Sequence, residues 1–206
     1  MGTVSGSTGP PVRNSSDYDK NGADDLALVT DEPGGGIAVS VGRSTHAGFW
    51  MQTWWQDPYT RWASVTPLSG DVSGDGAADY VYLLPTGTRA QAWVAKSNAG
   101  SYQPAQLWWS AQGWDFNVIK ANLGDINGDG AADLVLTYKE PNGTLSVHVG
   151  LSTQAGFWMN LWWYDPYTSW DAMAPLVGDV TGDKVADYTF NSAHSGRSPS
   201  VGHQIN

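Results

Sequence analysis

Apolar and polar residues alternate in short runs along this chain, and no segment sustains an apolar stripe at helical spacing. In the central part, FNVIKANL (116–123) leads into an acidic loop and DLVLTY (133–138) leaves it. PNG (141–143) then turns the chain, TLSVHV (144–149) returns, and FWMNLWW (157–163) follows. These runs are rich in Val, Thr and aromatic residues and are separated by Gly, Pro, Asn and Asp, which supply turn conformations. The pattern predicts a unit of four antiparallel strands.

The unit repeats. DYDKNGADD (17–25), DVSGDGAAD (71–79), DINGDGAAD (125–133) and DVTGDKVAD (179–187) begin 54 residues apart in each case. A fixed period near 50 is the signature of one supersecondary unit copied along the chain, and propeller blades have this size. A second correspondence lies over the first. GRSTHAGFWMQTWWQDPYTRW (42–62) and GLSTQAGFWMNLWWYDPYTSW (150–170) agree at 15 of 21 positions, two periods apart. The unit between them keeps only part of this, around Trp108 and Trp109. Nearly four units of four strands predict an all-β propeller, either a closed four-bladed ring or an open half-ring completed by oligomerisation. An open array exposes sheet faces and strand edges, which favours a homo-oligomer. Residues 1–11 read as a flexible lead-in and 12–206 as a single propeller domain.

Composition narrows the chemistry. Twenty acidic side chains against ten basic ones give a net charge of −10, which argues against nucleic acid or an anionic membrane surface as partner. No window approaches the roughly 18 consecutive apolar residues of a membrane span. The N-terminus lacks a charged and apolar leader, so any signal peptide is absent from this sequence or already removed. There is no cysteine, hence no disulfide, thiolate metal site or cysteine nucleophile.

Thirteen of the twenty acids fall in the four loops. Oxygen-bearing side chains at positions 1, 3 and 5, a carbonyl at position 7 and an Asp at position 9 suit a hard cation such as calcium, which takes 6–8 oxygen ligands. The expected sets are Asp17, Asp19, Asn21, Ala23 and Asp25; Asp71, Ser73, Asp75, Ala77 and Asp79; Asp125, Asn127, Asp129, Ala131 and Asp133; and Asp179, Thr181, Asp183, Val185 and Asp187, with the alanines and Val185 acting through carbonyl oxygens. Up to four calcium ions would then cancel eight of the ten excess negative charges. The bland alternative is a set of Asp/Gly surface turns. The fourth loop is the poorest, because Lys184 stands where a glycine would ease the bend.

These loops resemble the FG-GAP (VCBS-type) repeats of integrin-α-like β-propellers, through GDINGDGAAD (124–133) and GDVSGDGAAD (70–79). VGRST (41–45) and VGLST (149–153), each followed by Gly-Phe and paired Trp, resemble the bacterial secreted branch of that family. The resemblance covers about residues 12–195. It implies a propeller with one calcium per blade and a secreted, extracellular setting. Relatives include adhesion receptors, fungal propeller lectins that bind N-acetylglucosamine between blades, and modules attached to polysaccharide-degrading enzymes.

Twelve tryptophans are the second chemical signal. In the first unit Trp50, Trp54, Trp55, Asp57, Tyr59 and Trp62 cluster around a Trp-Trp-x-Asp-Pro-Tyr-Thr-x-Trp motif; in the third, Trp158, Trp162, Trp163, Asp165, Tyr167 and Trp170 do so. Trp108, Trp109 and Trp114 form an altered third set. Neighbouring strand residues point to opposite faces, so one Trp of each pair is expected to pack between blades and the other to be available. An indole face suits the C–H face of a sugar ring, and repeated sites would make a multivalent, calcium-dependent lectin. Asp57 and Asp165 could accept from sugar hydroxyls or simply open a turn. Two other functions stay open: an enzyme working on a hydrophobic or glycan substrate in a Trp-lined pocket with Asp57 or Asp165 as acid, and a protein adhesion module. No carboxylate pair, nucleophile elbow or phosphate loop supports catalysis.

Overall fold

The computed structural model describes residues 12–45 and 47–192. The lead-in expected at 1–11 and the chain after Ser192 lie outside them. Three four-stranded antiparallel sheets follow one another, each with its strands in chain order. The first holds β1 (Val12–Ser16), β2 (Asp25–Asp31), β3 (Ile37–Thr45) and β4 (Gly48–Asp57); the second β5 (Thr66–Gly70), β6 (Asp79–Thr86), β7 (Arg89–Ala95) and β8 (Gln106–Gln112). The third holds β9 (Ile119–Gly124), β10 (Asp133–Lys139), β11 (Leu145–Ser152) and β12 (Phe157–Asp165). β13 (Met173–Gly178) and β14 (Asp187–Ser192) pair as a two-stranded fourth sheet. No α-helix occurs among the described residues. Short 3-10 turns at Trp62–Ser64, Phe116–Val118 and Trp170–Ala172 precede β5, β9 and β13, so the strand expected from Phe116 starts only at Ile119.

The sheets stack face to face through their second and third strands. Val29, Val39 and Val41 of the first meet Tyr80 and Tyr82 of the second. Val81, Leu83 and Val94 on the opposite face of the second meet Leu134 and Leu136 of the third. Val135, Val147 and Val149 then meet Tyr188 of the fourth. Alternation along each strand therefore serves two cores at once, one per face. The first strands run side by side, β1 against β5, β5 against β9 and β9 against β13. Gly124 is what lets the last two approach: a Cβ there would overlap Val177 and Ala186. The arrangement is propeller-like, and no ring closure occurs among the described residues.

A β-bulge recurs at one place in each full sheet. Val39 pairs with Trp55 and Ser40 with Thr53, which leaves Trp54 as the extra residue. Ala92 pairs with Trp109 and Trp93 with Leu107, skipping Trp108. Val147 pairs with Trp163 and His148 with Leu161, skipping Trp162. Because two residues oppose one at a bulge, strict alternation fails there. This corrects the expectation that the paired tryptophans split between core and surface. Trp54 is buried and Trp55 packs against the same cluster; Trp108 and Trp109 share the second; Trp162 and Trp163 share the third.

Candidate functional site

The four acidic loops share one backbone plan. Positions 4 and 6 are left-handed in every copy: Lys20 and Gly22, Gly74 and Gly76, Gly128 and Gly130, Gly182 and Lys184. Glycine adopts this conformation freely, whereas Lys20 and Lys184 meet a Cβ penalty. The Asp at position 1 braces the bend. Oδ1 and Oδ2 of Asp17 accept from Asn21 N at 3.1 Å and Gly22 N at 2.8 Å. Asp125 accepts from Gly128, Asp129 and Gly130, and Asp71 and Asp179 follow the same scheme. Position 5 caps position 7: Asn21, Asp75, Asp129 and Asp183 accept from Ala23, Ala77, Ala131 and Val185.

Position 9 does something different. Asp25, Asp79, Asp133 and Asp187 are buried, and in the full sheets each ties its loop to the end of its own third strand or, for Asp79, to the residue two beyond it. Asp133 Oδ2 accepts from Ile126 N at 3.1 Å and Oδ1 from Ser152 N at 2.7 Å. Asp79 does the same with Ser73 and Ser97, and Asp25 with Tyr18 and Ser44. Burial pushes the carboxyls of Asp79 and Asp133 up to about 6, against the opposing pull of these hydrogen bonds. A cation beside them would restore the charged form.

The loops are also linked across sheets. The N–H at position 8 donates to the position 1 carbonyl of the preceding loop: Ala78 to Asp17, Ala132 to Asp71 and Ala186 to Asp125, at 2.7–2.8 Å. Asp17, Asp19 and Asp25 bring one carboxylate oxygen each within 4.8 Å of one another. In the other loops Ser73, Asn127 and Thr181 take the place of Asp19. A carboxylate oxygen has a second lone pair beyond the one given to a backbone N–H, so bracing and cation binding are compatible in this donor set.

The aromatic residues divide into wedges and platforms. Trp54 meets Tyr102 edge-on at 5.4 Å, and Trp108 meets Phe157 edge-on at 5.1 Å. Trp163 stacks on Phe190 at 5.8 Å, and Lys120 Nζ lies 4.1 Å from the ring centre of Trp170. Tyr80, Tyr82 and Trp93 complete the first wedge; single unpaired aromatics gave no sequence signal beyond strand propensity. Trp50 and Trp158 are exposed on the outer strands, with Arg43 over Trp50 at 4.8 Å. Tyr59 and Tyr167 stand almost fully in solvent at 91% and 93% exposure. The side chain of Trp62 lies outside the described residues.

Asp57 and Asp165 hold their own turns. Asp57 accepts from Tyr59 N, Thr60 N and the Thr60 hydroxyl. Asp165 accepts from Tyr167 N and Thr168 N. Burial raises the Asp165 carboxyl, but its bonds from Thr168 and Tyr167 outweigh this and hold it below the usual range. Such a group is ionised near neutral pH and holds no proton to donate as a general acid.

The middle unit lacks the Asp-Pro-Tyr-Thr turn and has a pocket at the corresponding position. Gly113 N donates to Thr88 O at 2.8 Å, which pins the turn after β8 to the β6–β7 hairpin. Between them lies a cavity of about 330 Å³ lined by Pro85, Thr88, Trp114, Asp115, Phe116 and Asn117. Trp114 is held by Trp109 at 5.3 Å, Tyr138 at 5.1 Å and His148 at 4.8 Å. Asp115 Oδ1 accepts from both the backbone and the side-chain nitrogen of Asn117. A fixed indole beside a fixed carboxylate and amide can stack a ring and receive its hydroxyls.

Comparison with known structures places the fold among propeller-like proteins. A lectin from Agrocybe aegerita, solved for its specific recognition of non-reducing terminal N-acetylglucosamine, superposes with a TM-score of 0.67 at 19% identity. The match covers 96% of this chain and 52% of the lectin, so the chain spans about half the lectin's length. The Tc holotoxin pore of Photorhabdus luminescens matches with a TM-score of 0.59 and 19% identity over 89% of this chain and 8% of that one. No protein-family model and no curated protein sequence matches the chain.

Proposed function

We propose that the chain is a carbohydrate-binding, lectin-like module whose acidic loops take calcium, as the FG-GAP-type motifs imply, and which acts in a secreted setting. The observation that carries the reading is the pocket beside Trp114, where an apolar ring face and the polar groups of Asp115 and Asn117 converge in a space sized for one or two sugar rings. The lectin-like fold supports it, and N-acetylglucosamine is the first sugar to test. Calcium would act on the frame: the loops lie at one end of the sheets, and Trp114 is built on the β8–β9 connection. The committed carboxylates of Asp57 and Asp165 favour binding over catalysis.

The test is a glycan array and an N-acetylglucosamine titration followed by tryptophan fluorescence, each with calcium and with chelator. Trp114→Ala should abolish binding while circular dichroism and melting behaviour show a folded protein. Failure of every glycan in both conditions, or full binding by Trp114→Ala, overturns the glycan reading. The calcium reading has its own readout, since an ion bound only by the folded state at 100 times its Kd adds about 2.7 kcal/mol. An unchanged melting temperature on chelation removes it.

A further inference from the structure

The three interfaces between successive sheets are built alike, and the two ends of the stack carry the unmatched halves of one more. At the first end, Leu26 and Leu28 of β2 occupy the positions of Tyr80 and Tyr82, Leu134 and Leu136, and Tyr188 and Phe190, every pair of which packs against the preceding sheet. Leu26 and Leu28 are only half-buried and join none of the three clusters. At the last end, Val180 occupies the loop position of Tyr18, Val72 and Ile126. Those three are 0%, 0% and 6% exposed, whereas Val180 is 65% exposed. Gly178 repeats this: a Cβ on Gly70 would touch the third sheet and one on Gly124 would overlap the fourth, but one on Gly178 meets nothing.

The polar halves also correspond. The first three loops each receive an N–H from position 8 of the next loop; among the described residues the Asp179 carbonyl receives none, and Asp24 N–H, the same donor in the first loop, gives none. The hydroxyls of Ser97 and Ser152 donate to Tyr18 O at 3.0 Å and Val72 O at 2.6 Å. Their counterpart is Ser44, which lines a cleft of about 560 Å³ with Asn21, Ala23, Asp24 and Thr45, where no preceding loop sits among the described residues. Donors lie at the first end and acceptors at the last.

We propose that two copies of this chain dock head to tail, the fourth sheet of each seating against the first sheet of the other, so that two identical heterologous interfaces close the pair. Val180 enters against Leu26 and Leu28, Asp24 N–H donates to the partner copy's Asp179 carbonyl, and the Ser44 hydroxyl donates to the partner copy's Val180 carbonyl. The second copy is the fitting occupant because each end continues an interface already made three times within the chain. The pair would hold in two chains about the length that the matched lectin holds in one.

The test is the mass in solution of this 206-residue polypeptide by sedimentation equilibrium and light scattering. About 44 kDa is expected, twice the 22.1 kDa chain. Val180→Asp changes a largely exposed residue and Gly178→Leu adds a side chain where a Cβ meets nothing in the single copy, and each should give a folded species near 22 kDa. Leu28→Glu should do the same from the other end. Mixing Val180→Asp with Leu28→Glu leaves one unaltered head facing one unaltered tail, so a species near 44 kDa should return. A wild-type mass near 22 kDa at all concentrations, a mass above 44 kDa, or a 44 kDa species that survives both tail variants overturns the proposal; if Leu28→Glu does not fold, the tail variants decide it. Glycan binding at Trp114 is read separately.

Discussion

Replacing Asp133 by alanine separates the frame role of the position 9 aspartate from its expected role as a calcium ligand. Asp133 is fully buried, and its two oxygens satisfy two backbone donors, Ser152 N and Ile126 N. Truncation leaves both N–H groups in a dry interior without an acceptor, at about 1–3 kcal/mol each. The expected loss is therefore about 2–6 kcal/mol, a large share of the roughly 5–15 kcal/mol that holds a domain together. With a urea slope of about 2 kcal/mol/M the unfolding midpoint should drop by about 1–3 M.

The measurement is urea unfolding followed by tryptophan fluorescence in the presence of chelator, so that no ion contributes. Hydrogen exchange supplies the local readout: the amides of Ser152 at the end of β11 and Ile126 in the acidic loop should lose protection before those of the β11 interior. Asp133→Asn keeps one acceptor oxygen and should lose about half as much. If Asp133→Ala in chelator lies within about 0.5 kcal/mol of the parent and both amides stay protected, the aspartate is not a clamp. A destabilisation that appears only when calcium is present would assign it to the ion alone.

Three other outcomes follow from the same geometry. Trp108→Ala removes a buried indole packed on Phe157 and should cost about 3–5 kcal/mol in denaturant unfolding; a stable variant with only a binding defect would contradict the wedge role. Lys184→Gly relieves a left-handed residue at φ 74° and should raise stability by up to about 1 kcal/mol, while a clear loss of melting temperature would show that the lysine contributes a contact. Burial between Trp114 and the third sheet pushes His148 below its ordinary value of 6.5, with Glu140 opposing. The unfolded chain then protonates first, so its contribution is complete above about pH 6.5 and is lost as pH falls from there through the lower folded-state value. His148→Gln should flatten this part of the pH profile, and an unaltered profile refutes the assignment.

The repeat was legible because a period needs only one strand's worth of residues at a time. The 54-residue spacing places all four acidic loops between the first two strands of their sheets, and the alternation in 133–138 and 144–149 marks β10 and β11. The tryptophan pairs were not legible in the same way. Whether Trp54 faces with or against Trp55 is decided by the register of β3 against β4, and a bulge belongs to two strands rather than to either sequence. The pocket was hidden for a related reason. Trp114 stands out in composition, but its cavity depends on the Gly113–Thr88 bond between two turns distant in the chain.

The loop ladder connects the chemistry of one loop to the packing of the next. The aspartate at position 1 braces its own bend with its side chain and offers its backbone carbonyl to the following loop. Its side chain and its carbonyl thus serve different sheets, and the shape of the bend sets where the carbonyl points. An ion that fixes Asp125 in place also fixes the acceptor for Ala186 N–H, and through it the seating of the fourth sheet on the third. In a linear stack, stability is a sum of unit terms and nearest-neighbour terms. Calcium at these loops would raise both, so its effect on the cooperativity of unfolding should exceed what four independent sites would give.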